Sequence, residues 1–239
     1  CAHIFLYDTL IRMNENFSLN EFGTLLTWKD IHCFYPYTKT EESFRGGAFW
    51  CLPNQGPVYD VFEKQNGEYR KIVAEHNSTT KHLSGKWGEI NTKTDWNVEG
   101  NILTSTAVLV ALRDKTFIRP GFHPYFAVSG NYTITIGNKT FSKETLHEGP
   151  SHTVMVQGEA KATIEQEYTT TEITYSVLFT PPKEEIQLSF CVWSDNKEKY
   201  VCVEPVIGGE EYFDGSPSPL EFAQGEGLTI KTTIVVTPH

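Results

Sequence analysis

Hydrophobic and polar residues alternate along much of this chain with a repeat of two. The alternation is clearest in residues 132–136, 173–179 and 228–236. A period of two puts every second side chain on the same face of a β-strand, and it is typical of half-buried strands. No long segment shows the 3.6-residue period of an amphipathic helix. The pattern predicts an all-β protein, a large antiparallel β-sandwich with few short helices.

Short turn signals separate the alternating runs. They are Asn66-Gly67, Gly130-Asn131, Gly137-Asn138, Pro181-Pro182 and Asp214-Gly215. Asn-Gly and Gly-Asn between alternating runs favour β-hairpins. The polar segment 137–153 is expected to hold a loop or one short helix. Because no linker divides the chain, we expect residues 1–239 to form a single domain.

Charge and cysteine content narrow the possible partners. The net charge of −10 disfavours binding to nucleic acid or to an anionic membrane surface. Five cysteines, an odd number without a Cys-x-x-Cys spacing, favour reduced thiols and a cytoplasmic location. No apolar run approaches the roughly 20 residues of a membrane-spanning helix. No extended apolar stripe indicates an obligate interface, so we expect a monomer.

Two proline-containing motifs carry the groups best suited to proton transfer. His123 precedes Pro124, which restricts the histidine backbone to extended geometry. Glu204 precedes Pro205 within an otherwise apolar strand. A buried carboxylate is costly unless it is paired or faces a cavity, although the alternation also allows Glu204 to face solvent. Together the two residues predict a general acid and base, against the alternative of a core histidine and a surface glutamate.

Other candidate residues would bind a ligand. Arg45 precedes two glycines, and its guanidinium suits sugar hydroxyls or a carboxylate. In the segment 81–87, His82 and Trp87 offer a polar and a stacking group, although packing of Trp87 on the sheet is the simpler interpretation. The histidine spacing predicts no metal site, and no glycine-rich phosphate loop predicts a nucleotide cofactor. We therefore expect neither metal nor cofactor.

In their order along the chain, these motifs resemble the aldose 1-epimerase (galactose mutarotase) family. The matching pieces are Arg45-Gly46-Gly47, Leu52-Pro53-Asn54, His123-Pro124-Tyr125-Phe126, Val192-Trp193-Ser194-Asp195 and Cys202-Val203-Glu204-Pro205. They are spread over most of the chain. The His-Pro-Tyr-Phe and Val-Glu-Pro motifs are fairly specific when both occur in this order.

The resemblance implies a large antiparallel β-sandwich with a sugar-binding groove and a cofactor-independent interconversion of sugar anomers. It implies that Glu204 is the general base and His123 the general acid. The substrate would be a hexose or hexose phosphate, a small-molecule sugar. The implied sugar-binding residues are Arg45, His82, Tyr125, Asn54, Trp87 and Asp195.

One segment departs from the family pattern. Members usually carry a His-Gly-x-x-Arg-like sequence, whereas this chain has His82-Leu83-Ser84-Gly85-Lys86. A lysine replaces the charge of the arginine but not its two-pronged hydrogen bonding. Two alternatives to a hexose 1-epimerase therefore stay open. One is a hexose-6-phosphate 1-epimerase, and the other is a non-catalytic carbohydrate-binding or interaction domain with the same fold.

Overall fold

The structure is a computed structural model, and it describes thirteen segments of the chain. These are residues 10–12, 18–20, 28–31, 61–65, 68–76, 80–87, 90–117, 121–128, 130–183, 186–194, 196–198, 200–209 and 220–239. At several strand positions the description covers the backbone alone, and this applies to His82, Trp87, His123 and Tyr125. Arg45, Asn54 and Asp195 lie outside the described residues.

Nineteen strands make up the regular structure of these segments. They are β1 Leu10–Arg12, β2 Ser18–Asn20, β3 Trp28–Ile31, β4 Val61–Gln65, β5 Glu68–His76, β6 Thr80–Trp87, β7 Ile90–Glu99, β8 Ile102–Ala111, β9 Thr116–Phe117, β10 Phe122–Ala127, β11 Tyr132–Ile136, β12 Lys139–Ser142, β13 His152–Val156, β14 Ala160–Gln166, β15 Thr169–Thr180, β16 Leu188–Trp193, β17 Tyr200–Ile207, β18 Glu221–Phe222 and β19 Gly227–Pro238. Every pairing between them is antiparallel. The predicted antiparallel all-β architecture is confirmed for the described residues.

Two large sheets dominate. The first has ten strands in the order β12-β11-β14-β15-β19-β8-β7-β6-β5-β4, and the second has five in the order β13-β16-β17-β10-β3. Two-stranded sheets pair β1 with β2 and β9 with β18. The alternation of the sequence reappears as burial, since β11 alternates buried and half-buried positions along its whole length.

One hydrophobic cluster joins the two large sheets. It contains Ile134, Ile164 and Ile173 from the ten-stranded sheet and Phe190 and Val203 from the five-stranded sheet, all with 0% exposure. Such a shared core between two sheet faces is the arrangement of a β-sandwich. The core therefore lies between the sheets, and each sheet has a second face that points away from it.

A tyrosine hydroxyl connects the sheets through this core. Tyr175 of β15 donates to the carbonyl oxygens of Ser189, at 2.8 Å, and Val206, at 2.9 Å. Ser189 and Val206 are opposite each other on β16 and β17. The Tyr175 ring also meets Phe190 edge-on, with ring centroids 5.2 Å apart. This contact ties the ten-stranded sheet to the two strands that carry the candidate site.

The polar segment 137–153 contains a strand and a turn. Gly137, with a φ of 57°, begins a two-residue turn that pairs Ile136 with Lys139, so the predicted hairpin is confirmed. After β12, the Ser142 hydroxyl donates to a Glu144 carboxylate oxygen at 2.6 Å, and the Leu146 amide donates to the Ser142 carbonyl at 2.8 Å. Side-chain bonds of this kind close a single turn in place of a helix. Within the described ranges there is no helix, which agrees with the expectation of an all-β protein with few helices.

Gly130-Asn131 was expected to mark a hairpin, and this expectation is wrong. The strands on either side, β10 and β11, belong to different sheets and do not pair. Gly130, with a φ of 65°, turns the chain from the five-stranded sheet to the ten-stranded sheet. The same local signal can therefore occur where the chain crosses from one sheet to the other. A glycine with positive φ turns the chain, but it does not determine which strands then pair.

Candidate active site

Strand β17 carries Glu204 on the face of the five-stranded sheet that points away from the core. Val203 and Ile207 belong to the core between the sheets, whereas Tyr200 and Cys202 form a separate cluster with Trp193. Because side chains alternate along a strand, Glu204 shares the face of Tyr200 and Cys202. Although this face points away from the core, Glu204 is only 2% exposed. The alternative of a solvent-facing glutamate is therefore excluded, and the site has a buried carboxylate.

The register of β10 on β17 places His123 opposite this carboxylate-bearing residue. Gly121 pairs with Val206, and Tyr125 pairs with Cys202. Four residues advance between these pairs on each strand, so His123 and Glu204 occupy the same central position. Directly opposite residues in an antiparallel pair have Cα atoms about 4.5–5.5 Å apart. The backbone thus brings together the two positions that the sequence predicted to act jointly.

On its other side β17 pairs with β16, and Cys191 lies opposite Glu204. Cys191 is completely buried and its thiol is free. Burial raises the pKa of Cys191 well above its ordinary value, and the charge of Glu204 raises it further. Hydrogen bonds from the Ser151 side chain and the His152 backbone act in the opposite direction. The Cys191 thiol therefore stays protonated and uncharged at neutral pH. Of the two paired residues, Glu204 is the one that can carry a charge.

An irregularity in strand pairing occurs at the position of His123. On the neighbouring strand β3, Phe122 pairs with Ile31 and Pro124 pairs with Trp28, so β3 has one residue more than β10 in this interval. Two β3 residues thus oppose His123, which is a β-bulge. Bulges are common beside active sites because they locally bend and twist the strand.

The other predicted site residues lie further from Glu204 or outside the described residues. Tyr125 lies on β10 opposite Cys202, two residues from His123. His82 and Trp87 lie on β6 of the ten-stranded sheet, with His82 between Glu75 and Asp95 in register. The structure does not bring these two into the sheet that carries Glu204. Arg45, Asn54 and Asp195 are outside the described residues, so their assignment stays a prediction.

Sequence reasoning did not identify Cys191 and Trp193 as neighbours of Glu204. Both lie at alternate positions of β16, on the Glu204 face. Trp193 stands in the Val192-Trp193-Ser194-Asp195 motif, but the mostly apolar run 188–193 does not show which of its side chains share a face with Glu204. The part of the chain described structurally contains no group of three histidine, cysteine or acidic side chains arranged to hold a metal. The same part contains no helix long and apolar enough to cross a membrane.

These features define an antiparallel β-sandwich with a buried carboxylate on the outer face of its smaller sheet. Among solved structures, the chain is similar to a candidate aldose 1-epimerase from Escherichia coli K12, with 15% identity, a TM-score of 0.48, and coverage of 71% of this chain and 69% of that one. It is also similar to the Slr1438 protein from Synechocystis sp. PCC 6803, with 12% identity, a TM-score of 0.47, and coverage of 74% and 73%. No protein-family model and no curated protein matches the chain. At these values, the likenesses do not assign an activity.

Proposed function

We propose that this protein is a cofactor-independent sugar 1-epimerase, which interconverts the α and β anomers of a hexose. The observation that carries the proposal is the register of β10 on β17, which sets His123 opposite the buried Glu204. Opposite positions on paired strands have Cα atoms about 4.5–5.5 Å apart, which supports an acid and a base that act on one substrate. The resemblance of the two motifs to the aldose 1-epimerase family gives the reaction.

In the proposed reaction Glu204 accepts the proton of the C1 hydroxyl while His123 donates a proton to the ring oxygen. The C1–O5 bond breaks, and the sugar becomes an open-chain aldehyde. Rotation about C1–C2 presents the other face of the aldehyde to the C5 hydroxyl. When the ring closes, the C5 hydroxyl returns a proton to His123 and Glu204 gives its proton to the C1 oxygen. Both residues thus end as they began, and no other reactant is consumed.

The surroundings of Glu204 support its role as the base. A carboxylate shielded from water is more basic than an exposed one, because burial disfavours its charged form. The thiol of Cys191 on the adjacent strand stays protonated, so it does not compete with Glu204 as a proton acceptor.

The test is polarimetry on freshly dissolved α-D-glucose and α-D-galactose, with the 6-phosphate of glucose followed in parallel. Wild-type protein should accelerate mutarotation, and Glu204→Gln should lower the rate by about 10²–10⁴-fold, the usual contribution of a general acid or base. Glu165→Gln is the matched control, because Glu165 is an exposed glutamate on β14 of the other sheet. Equal activity in Glu204→Gln and Glu165→Gln would sink the proposal.

The changed segment around His82 favours a second candidate, a carbohydrate-binding domain without catalysis. It predicts saturable sugar binding and no acceleration of mutarotation in the same experiments. In either form, we propose a monomer in the reducing cytoplasm, a location in line with the odd number of cysteines. Sedimentation at two protein concentrations would test the monomer, and a mass that rises with concentration would contradict it.

A further inference from the structure

Trp193 is a large aromatic residue beside the candidate catalytic pair. It ends β16 and pairs with Cys202 of β17, while Cys191, two residues earlier, pairs with Glu204. Cys202 in turn pairs with Tyr125 of β10, next to the His123 position. Trp193 therefore lies on the same face of the five-stranded sheet as Glu204, two residues further along the strands.

The indole of Trp193 is held in one orientation. Its Nε1–H donates to the Gly149 carbonyl at 2.9 Å, and the Gly149 amide donates to the Ser194 carbonyl at 2.8 Å. The ring also contacts that of Tyr200, with centroids 6.2 Å apart and planes tilted by 42°. These contacts fix the polar edge of the indole. A ring fixed before a ligand arrives loses little conformational entropy on binding.

Accessibility distinguishes Trp193 from its neighbours on this face. Cys191 and Cys202 have 0% exposure, and Glu204 and Tyr200 are buried as well. Trp193 is half-buried, so part of its surface remains open to solvent next to a buried carboxylate. Ligand sites typically combine aromatic walls with a few placed polar groups, and Trp193 with Glu204 has this composition.

We propose that Trp193 is the platform on which the apolar C–H face of a pyranose ring stacks while the anomeric centre faces Glu204. The inference rests on the proposed sugar function and adds a binding role for a residue outside the proton-transfer pair. A stacked sugar would be oriented by the ring plane, and its hydroxyls would be left for the polar groups of the site. Trp193 would therefore act on affinity and leave the chemical step nearly unchanged.

The test separates binding from chemistry by using methyl α-D-glucopyranoside and methyl α-D-galactopyranoside, whose rings cannot open. Dissociation constants from NMR titration are compared for wild type, Trp193→Leu and Trp193→Phe. Tyr168→Leu is the control, because Tyr168 is 69% exposed and lies in the turn between β14 and β15. Loss of the aromatic platform should weaken binding and raise KM by about tenfold or more, with kcat within about twofold of wild type. The dissociation constant and KM of Trp193→Phe should lie between those of wild type and Trp193→Leu.

Each outcome decides the matter. Unchanged affinity and KM in Trp193→Leu, with an active wild type, would overturn the platform and leave the epimerase standing. A wild type that neither binds a glycoside nor accelerates mutarotation of any sugar tested would overturn both proposals. If Trp193→Leu does not fold, wild-type protein carrying 5-fluorotryptophan serves instead. The fluorine resonance missing from Trp193→Phe should then shift on adding glycoside, and a fixed resonance in a protein that binds sugar would exclude the platform.

Discussion

Tyr175 and Tyr132 permit a matched test of how the two sheets are joined. Both tyrosines are buried in the core, with exposures of 6% and 3%, and the same change to phenylalanine removes one hydroxyl from each. The Tyr175 hydroxyl donates to two carbonyl oxygens of the opposite sheet. Among the described residues, no group is placed to hydrogen-bond the Tyr132 hydroxyl. Tyr175→Phe should therefore lower the stability, whereas Tyr132→Phe should leave it nearly unchanged or raise it.

The expected magnitudes follow from these partners. Tyr175→Phe removes the hydroxyl that donates to the Ser189 and Val206 carbonyl oxygens. It keeps the edge-on ring contact with Phe190. A hydrogen bond contributes about 0.5–1.5 kcal/mol net, and buried acceptors left unsatisfied add to the cost. We expect a loss of about 1–2 kcal/mol in the free energy of unfolding. For a protein of this size that corresponds to a Tm lower by about 2–8 °C.

Tyr132→Phe removes a buried hydroxyl that has no partner in the described structure. Its free energy of unfolding should stay within about 0.5 kcal/mol of wild type or rise, since the folded state no longer has to desolvate that hydroxyl. Urea unfolding followed by circular dichroism measures both variants, and unchanged m-values would show that the same surface is exposed. Equal losses in the two variants, or a larger loss in Tyr132→Phe, would refute the assignment of the Tyr175 bonds.

Two further predictions concern close packing and alkaline pH. Gly227 of β19 lies so close to β8 that a Cβ would collide with the Leu109 carbonyl oxygen. Gly227→Ala should therefore lower the free energy of unfolding by about 1–3 kcal/mol or more. A Gly227→Ala variant that unfolds thermally at the wild-type Tm would contradict this packing. Burial, with added repulsion from Glu198, Glu144 and Glu148, raises the pKa of Tyr132 to about 12. Because the folded state holds this proton more tightly, its contribution is complete below about pH 10 and is lost as the pH rises from about 10 to about 12. Urea titrations at several pH values should show wild type losing stability relative to Tyr132→Phe over that interval, and parallel curves would refute the shift.

Much of the secondary structure follows from the sequence alone. The alternation around Ile134 and Ile173 determines which side chains are buried, because successive side chains of a strand point to opposite faces. The hairpin at Gly137 is equally local, since a two-residue turn with positive φ brings the flanking residues into register. The crossing at Gly130 shows the limit of this reasoning. Its signal resembles that of a hairpin, but the pairing partners of β10 are strands far away in the sequence.

The candidate site depends on those distant partners. Alternation shows that Val203 and Glu204 lie on opposite faces, but it does not show that both faces are covered. The 2% exposure of Glu204 is a property of the assembled structure. In the same way, His123 comes opposite Glu204 only through the register of two strands separated by a long stretch of chain, including the strands β11–β16. Local sequence selected the chemical groups, whereas the long-range pairing of strands, which local propensities do not encode, decided which of them meet.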